Sequence, residues 1–294
     1  MVNSSIMQNR NLKEIASMGT FHVLEHEKDL SVSAGSAVDY YFASKMNVRK
    51  RQLLLDFQSN GYIVQSGAMQ WMSGDIKTNT NVKGVGDFLG KMVSSAVTNE
   101  GAIKPIYQGT GAMMLEPTYK HIILLDVSKW GSVVLDDGLF LACESSLQQK
   151  TVARSNISSA VLGGEGLFNL SLSGNGIAAL ECHVPYEELI EVVLENDVMK
   201  IDGNMAVAWS GSLNFTVEKS GKSLIGSAAS GEGFVNVYRG TGKILLAPTA
   251  ANYSISPVAS SSATGPSQSK TQPQAASNVG KALDVISDVL DIFN

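Results

Sequence analysis

Apolar and polar residues alternate over short stretches through most of this chain. YIVQSGAMQW (62–71), GSLNFTVE (211–218), FVNVYRG (234–240) and KILLAP (243–248) are rich in β-branched and aromatic residues and bounded by Gly or Asp-Gly. A period of two sends successive side chains to opposite faces, so these stretches are predicted as strands joined by tight turns. Asp137-Gly138 and Asp202-Gly203 are the clearest hairpin signals. Two segments carry the helical period instead. In VKGVGDFLGKMVSSAV (82–97), Val85, Phe88, Leu89, Met92, Val93 and Ala96 fall at helical spacing; in the last seventeen residues, Val279, Leu283, Ile286, Leu290 and Phe293 share one face that Asp284, Asp288 and Asp291 avoid. Asn278 is the predicted N-cap of that final helix.

The strand pattern recurs. GAIKPIYQGTGAMMLEP, GEGLFNLSLSGNGIAAL and GEGFVNVYRGTGKILLA each carry a G-x-G pair, and the first glycines, Gly109, Gly174 and Gly240, lie 65 and then 66 residues apart. Upstream markers start at Gly67, Gly138 and Asn204, preceding those glycines by 42, 36 and 36 residues. The first unit therefore holds a six-residue insertion, whose source is the helical stretch at 82–97. Glycine at each G-x-G supplies positive φ or room for an adjacent backbone at a strand corner. Three units of several strands predict an all-β, pseudo-threefold β barrel or sandwich with one inserted helix and a C-terminal amphipathic helix.

Outside the units the pattern stops. Residues 1–18 read as an N-terminal extension, 19–250 as the repeated β domain, 251–277 as a flexible Ser/Pro/Gln/Thr-rich linker, and 278–294 as the terminal helix. A short helix on a long tether needs a surface to dock on. Leu283, Ile286, Leu290 and Phe293 are its candidate docking residues, toward this chain, another copy, a protein partner or a membrane; its acidic face disfavours anionic lipid.

Composition narrows the function classes. The net charge is −5 and the pI about 5.4, which argues against a general nucleic-acid binder, since such affinity comes from basic charge displacing counterions. Cys143 and Cys182 are too few for a disulfide framework and are expected as buried thiols. The N-terminus has neither an apolar signal core nor an Arg-rich amphipathic pattern. A cytoplasmic protein, at most peripheral to a membrane, is expected.

Motifs that suggest chemistry do not hold. HVLEH (22–26) matches a zinc-peptidase pattern, but its surroundings read as strand, which points Glu25 away from both histidines. KGVGDFLGK and Gly221-Lys222-Ser223 each miss a glycine that phosphate loops need. Cys182 beside His183 is poor geometry for a nucleophile and its base. Glu187 and Glu188 read as a solvated turn, and Trp71 and Trp209 as core or interface anchors. No catalytic residue, metal site or cofactor is expected. The one dense basic run, KMNVRKRQ, makes Lys45, Arg49, Lys50 and Arg51 the candidate anion-binding residues, although a stacking platform of several aromatics is not evident.

VLGGEGLFNLSLSGNG, DGNMAVAWSGSLNFTVE and SGEGFVNVYRGTGKILLAP, with FASKMNVRKRQ and GAMQWMSGDI, resemble the altered-inheritance-of-mitochondria family numbered twenty-four, including its bacterial members, over about Gly19 to Pro248. The resemblance implies a fold like that of the tryptophan RNA-binding attenuator protein, a shortened double-stranded β-helix that favours oligomers, and hence a trimer or larger assembly. Mitochondrial members are linked to inner-membrane organisation. Together these readings give the expected function: a non-enzymatic oligomeric scaffold or binding module, at most peripheral to a membrane, with a small-ligand or nucleic-acid binder using residues 45–51 as the alternative.

Overall fold

Alternating stretches become strands that bend. The computed structural model describes residues 9–79, 104–153, 168–203, 205–219 and 234–249. The segment predicted as an inserted helix (82–97), the linker and the terminal helix with Leu283, Ile286, Leu290 and Phe293 lie outside the described residues. Within them the protein is mostly β, built as two curled antiparallel sheets with one short α-helix.

Strands β1 (Leu12–Met18) and β2 (Phe21–His26) form an opening hairpin, so pairing begins ahead of residue 19. Helix α1 (Ala37–Lys45) follows. The first unit comprises β3 (Arg51–Val64), β4 (Met69–Asn79) and β5 (Ile106–Leu115). In the second, each strand of the same plan is broken at a corner, giving β6 (His121–Asp126) with β7 (Ser132–Leu135), β8 (Phe140–Glu144) with β9 (Gln148–Ala153), and β10 (Phe168–Ser173) with β11 (Ile177–Cys182). The third holds β12 (Ile190–Asp202), β13 (Ala206–Ser210) with β14 (Asn214–Lys219), and β15 (Phe234–Leu246).

One pairing order serves all three units: the last strand lies between the other two. β5 pairs with β3 and β4, β10/β11 with β6/β7 and β8/β9, and β15 with β12 and β13/β14. The Asp-Gly turns are therefore not hairpin turns. Asp137-Gly138 leads from β7 to β8, which sit in different sheets, and Asp202-Gly203 leads from β12 to β13, which are separated by β15. Local turn chemistry was right about reversal and silent about which strand the chain returns beside.

The corners are built alike in the second and third units. Ser146 Oγ donates to the Asn175 carbonyl (3.1 Å), and Ser212 Oγ donates to the Thr241 carbonyl (2.9 Å). Both receiving residues are the middle of a G-x-G pair whose first glycine has φ of +111° or +119°, a backbone conformation that favours glycine. At the second-unit corner the hairpin changes sheet: β8 and β11 belong to one sheet, β9 and β10 to the other.

Because strand residues alternate faces, each sheet carries a core on both sides. Ile63, Cys143 and Leu180 of the first sheet meet Val133, Leu172 and Ala208 of the second in a middle core. Tyr62, Val64 and Ala142 turn the other way, toward Phe21, Leu53 and Met113, where the first sheet curls over itself. Val134 and Trp209 likewise turn toward Ile201 and Tyr238 on the far side of the second sheet. The order is core, sheet, core, sheet, core. Each outer core is anchored by an aromatic trio, Phe21–Tyr62–Phe57 with centroids 5.3 and 4.6 Å apart and Trp209–Phe215–Tyr238 with centroids 5.1 to 5.3 Å apart; contacts of this kind add about 0.5–1.5 kcal/mol each beyond burial.

Candidate functional site

The basic run is a mounting for α1 rather than an open anion patch. Arg51 is 2% exposed, and its guanidinium reaches Glu25 Oε2 (2.7 Å), Asn47 Oδ1 (2.7 Å) and the Asn47 carbonyl (3.1 Å). Arg49 bonds Glu25 Oε1 (3.0 Å) and donates its Nε–H to the Ser44 carbonyl (3.1 Å) in the last turn of α1. Lys50 pairs with Asp29 (2.8 Å), which also accepts from the Tyr119 hydroxyl (2.7 Å) and the Ser31 N–H (3.2 Å). The lysine, then the tyrosine, hold the Asp29 carboxyl below its usual range against burial. Of the four candidate anion ligands, Arg49, Lys50 and Arg51 thus already face carboxylates, and Lys45 lies over the Tyr41 ring at 5.2 Å.

What is mounted is apolar. Helix α1, AVDYYFASK, has Asp39 in its first turn and Lys45 in its last, matching the helix dipole, and it stops at Asn47, whose φ of +65° is a left-handed cap. No residue of α1 is buried. Val38, Tyr41, Phe42 and Met46 recur at three- and four-residue spacing, so they share one side of the helix and its end. Phe42 is 63% and Met46 78% exposed, and Leu30 stands exposed in the preceding segment. Tyr40 points elsewhere, to the ring of Tyr119 at 6.0 Å.

Behind this mounting sits a histidine with an altered titration. Burial first, then the Arg51 charge, pushes His121 down to about 4, while Glu25 and Glu187 pull upward and His183 adds a small downward push. The folded state therefore favours neutral imidazole, and the unfolded chain takes up the proton first. Stability from this group is present above pH 6.5 and is lost as pH falls toward 4. Urea midpoints should drop between pH 7 and pH 4.5, with a shallower drop in His121→Gln.

The remaining chemical candidates are accounted for locally. HVLEH is strand β2: Glu25 turns to the arginines, His22 to Glu14 (3.0 Å) and His26 to Gln52 (2.9 Å). Among the described residues no group of three metal-binding side chains converges. Both cysteines are buried, which pushes the Cys143 thiol up to about 12 and raises that of Cys182, the wrong direction for a nucleophile. Glu187 and Glu188 lie in the 3-10 turn Tyr186–Glu188. A groove of about 550 Å³ is lined by Ser59, Asn60, Gln108 and Glu144, and Glu144 there accepts the Ile177 N–H (3.0 Å). Trp209 is a core anchor, whereas Trp71 is partly exposed on β4. Gly221-Lys222-Ser223 lies outside the described residues, as does KGVGDFLGK.

Sequence reasoning missed α1. The visible signal was a nine-residue run with one acid near its start and one lysine at its end, with Asn47 two residues beyond.

A family model described as mitochondrial biogenesis AIM24 matches residues 45–249. An uncharacterised protein of Streptococcus pyogenes serotype M6 is 30% identical over 201 residues, covering 65% of this chain and 79% of that protein. A crystal structure of a Streptococcus pyogenes protein superposes with a TM-score of 0.52 at 26% identity, covering 69% of this chain and 90% of the other. Among the described residues no helix is long and apolar enough to cross a membrane.

Proposed function

The chain belongs to the mitochondrial biogenesis AIM24 family, and from that premise we propose that it is a non-enzymatic scaffold that docks on a membrane surface through α1. The observation that carries this reading is a helix with no buried residue, presenting Val38, Tyr41, Phe42 and Met46 on one side. An aromatic pair with a lysine beside it suits the boundary between headgroups and acyl chains, where aromatic bodies enter the apolar zone and the ammonium group reaches back to water. The helix stands out from the body, so it fits a fluid surface without a matching groove. Each large side chain transferred contributes roughly 1.5–3 kcal/mol, enough in combination for reversible attachment. Pinning α1 to Glu25 through Arg49 and Arg51 holds that side in place.

Co-sedimentation with phosphatidylcholine vesicles, with and without an anionic lipid, tests the reading. Binding to both vesicle types that changes little with salt is expected. Phe42→Ser with Met46→Ser should weaken it at least about tenfold, given the transfer energy removed, and leave the melting temperature unchanged because neither side chain is buried. Wild-type protein that stays in the supernatant with both vesicle types contradicts the proposal.

The alternative, an anion or nucleic-acid binder using Lys45, Arg49, Lys50 and Arg51, requires three of those side chains to leave their carboxylates. RNA binding that weakens steeply with salt and is lost in Lys45→Glu would favour it.

A further inference from the structure

The three units are joined by one junction used twice. At the first, β3 meets β8 with Tyr62 opposite Glu144, Ile63 opposite Cys143 and Val64 opposite Ala142. At the second, β7 meets β13 with Val133 opposite Ser210, Val134 opposite Trp209 and Leu135 opposite Ala208. The flanking bonds also correspond. Gln65 N–H donates to the Leu141 carbonyl (2.8 Å) and Asp136 N–H to Val207 (3.0 Å); Ser145 N–H donates to Gly61 (2.8 Å) and Gly211 N–H to Ser132 (2.9 Å).

The G-x-G glycines fix the correspondence independently. Ile63, Val134 and Lys200 each lie opposite the residue three places before the first glycine, namely Ile106, Ser171 and Val237. Cys143, Trp209 and Met72 each lie opposite the residue four places after it, namely Ala178, Ile244 and Met113. The third junction is thus specified in full: Met199 opposite Ser73, Lys200 opposite Met72, Ile201 opposite Trp71. Its two strands are not joined within the chain. Among the described residues β4 pairs with β5 alone and β12 with β15 alone. Met72 is 41% exposed where its equivalents Cys143 and Trp209 are 0% and 3% exposed.

A second copy of the chain is the occupant the geometry allows. Met69 and Ile76 of β4 pack on the core containing Phe21, whereas Met199 and Ile201 of β12 belong with the core containing Trp209. Those cores are at opposite ends of the stack, with both sheets and the middle core between them. We propose that β12 of one copy pairs with β4 of the next in the register that the chain already uses twice, so that copies join head to tail. The two surfaces differ, so the contact is heterologous and propagates to a ring or a filament. Long edge strands without proline invite pairing of this kind. The proposal deepens the scaffold reading by naming its partner, and it stands or falls separately from membrane docking.

Cross-linking tests both the partner and the register. At the in-chain junctions the flanking bonds make Ile63 and Cys143 a hydrogen-bonded pair, which leaves Met199 and Ser73 at a non-hydrogen-bonded position, where Cα atoms lie about 4.5 Å apart and a disulfide fits. Ser73→Cys and Met199→Cys are prepared as separate full-length variants and oxidised mildly, alone and mixed. The mixture should give a covalent dimer, each variant alone should give none, and the double variant should give a ladder of higher species. A disulfide within one chain of the double variant, with no dimer from the mixture, would show closure inside the molecule and overturn the proposal. Self-cross-linking of Ser73→Cys alone would show a symmetric β4–β4 contact and overturn it as well. Light scattering of unmodified protein adds an independent readout: masses at multiples of 31.2 kDa support the inference, and a monomer at every concentration contradicts it.

Discussion

Glu25→Gln should lower the free energy of unfolding by about 3–5 kcal/mol, the range seen when one partner of a buried ion pair is removed. The reason lies in Arg51. Its side chain is 2% exposed and has Glu25 as its carboxylate at 2.7 Å; burial alone disfavours the charged guanidinium, and Glu25 offsets that. Without the carboxylate a cation remains in a poorly solvated site, whereas Arg49, about a third exposed at its side chain, can turn to water. Removing both charges as Glu25→Leu with Arg51→Met should restore most of the loss, because an unpaired buried charge is worse than none. Denaturant unfolding of Glu25→Gln and of the double variant checks this. If Glu25→Gln unfolds like the wild type, the carboxylate does not support Arg51.

Gly109→Ala should be the more damaging of two matched glycine changes, by about 4 kcal/mol or more against roughly 1–3 kcal/mol for Gly174→Ala. Both glycines have positive φ, +146° and +111°. They differ in what an added Cβ meets. At Gly109 it would lie 1.9 Å from the Asp75 carbonyl oxygen, while at Gly174 nothing is closer than 3.7 Å. In the first unit β4 runs unbroken past the G-x-G pair, so backbone crosses where a side chain would go. In the second unit the partner strand has already turned away at Ser145 to Leu147. Equal losses in the two variants, read as urea midpoints, would contradict this close approach.

The matched glycines also show what was legible in the chain. Spacing alone located the corners, because a G-x-G pair answers a local backbone need and leaves a local mark. It could not show that the three corners are unequal, since that depends on how far β4 continues, a matter of pairing with β5 across 27 to 46 positions. The Asp-Gly turns failed for the same reason: reversal is local, whereas the choice of neighbouring strand is not. The partners of the basic run were not legible because its carboxylates come from Glu25 and Asp29, 20 or more residues before the side chains they bind. Helix α1 escaped notice because it is only nine residues long and buries nothing that would have forced an apolar stripe toward the core.

Amide hydrogen exchange across a range of protein concentrations most directly tests whether one strand junction serves both inside and between chains. Peptides spanning Cys143 and Trp209 should be protected at every concentration, and those spanning Met72 and Lys200 should gain comparable protection as concentration rises. Exchange at Met72 and Lys200 that stays fast at the highest concentration, while Cys143 and Trp209 remain protected, would contradict it.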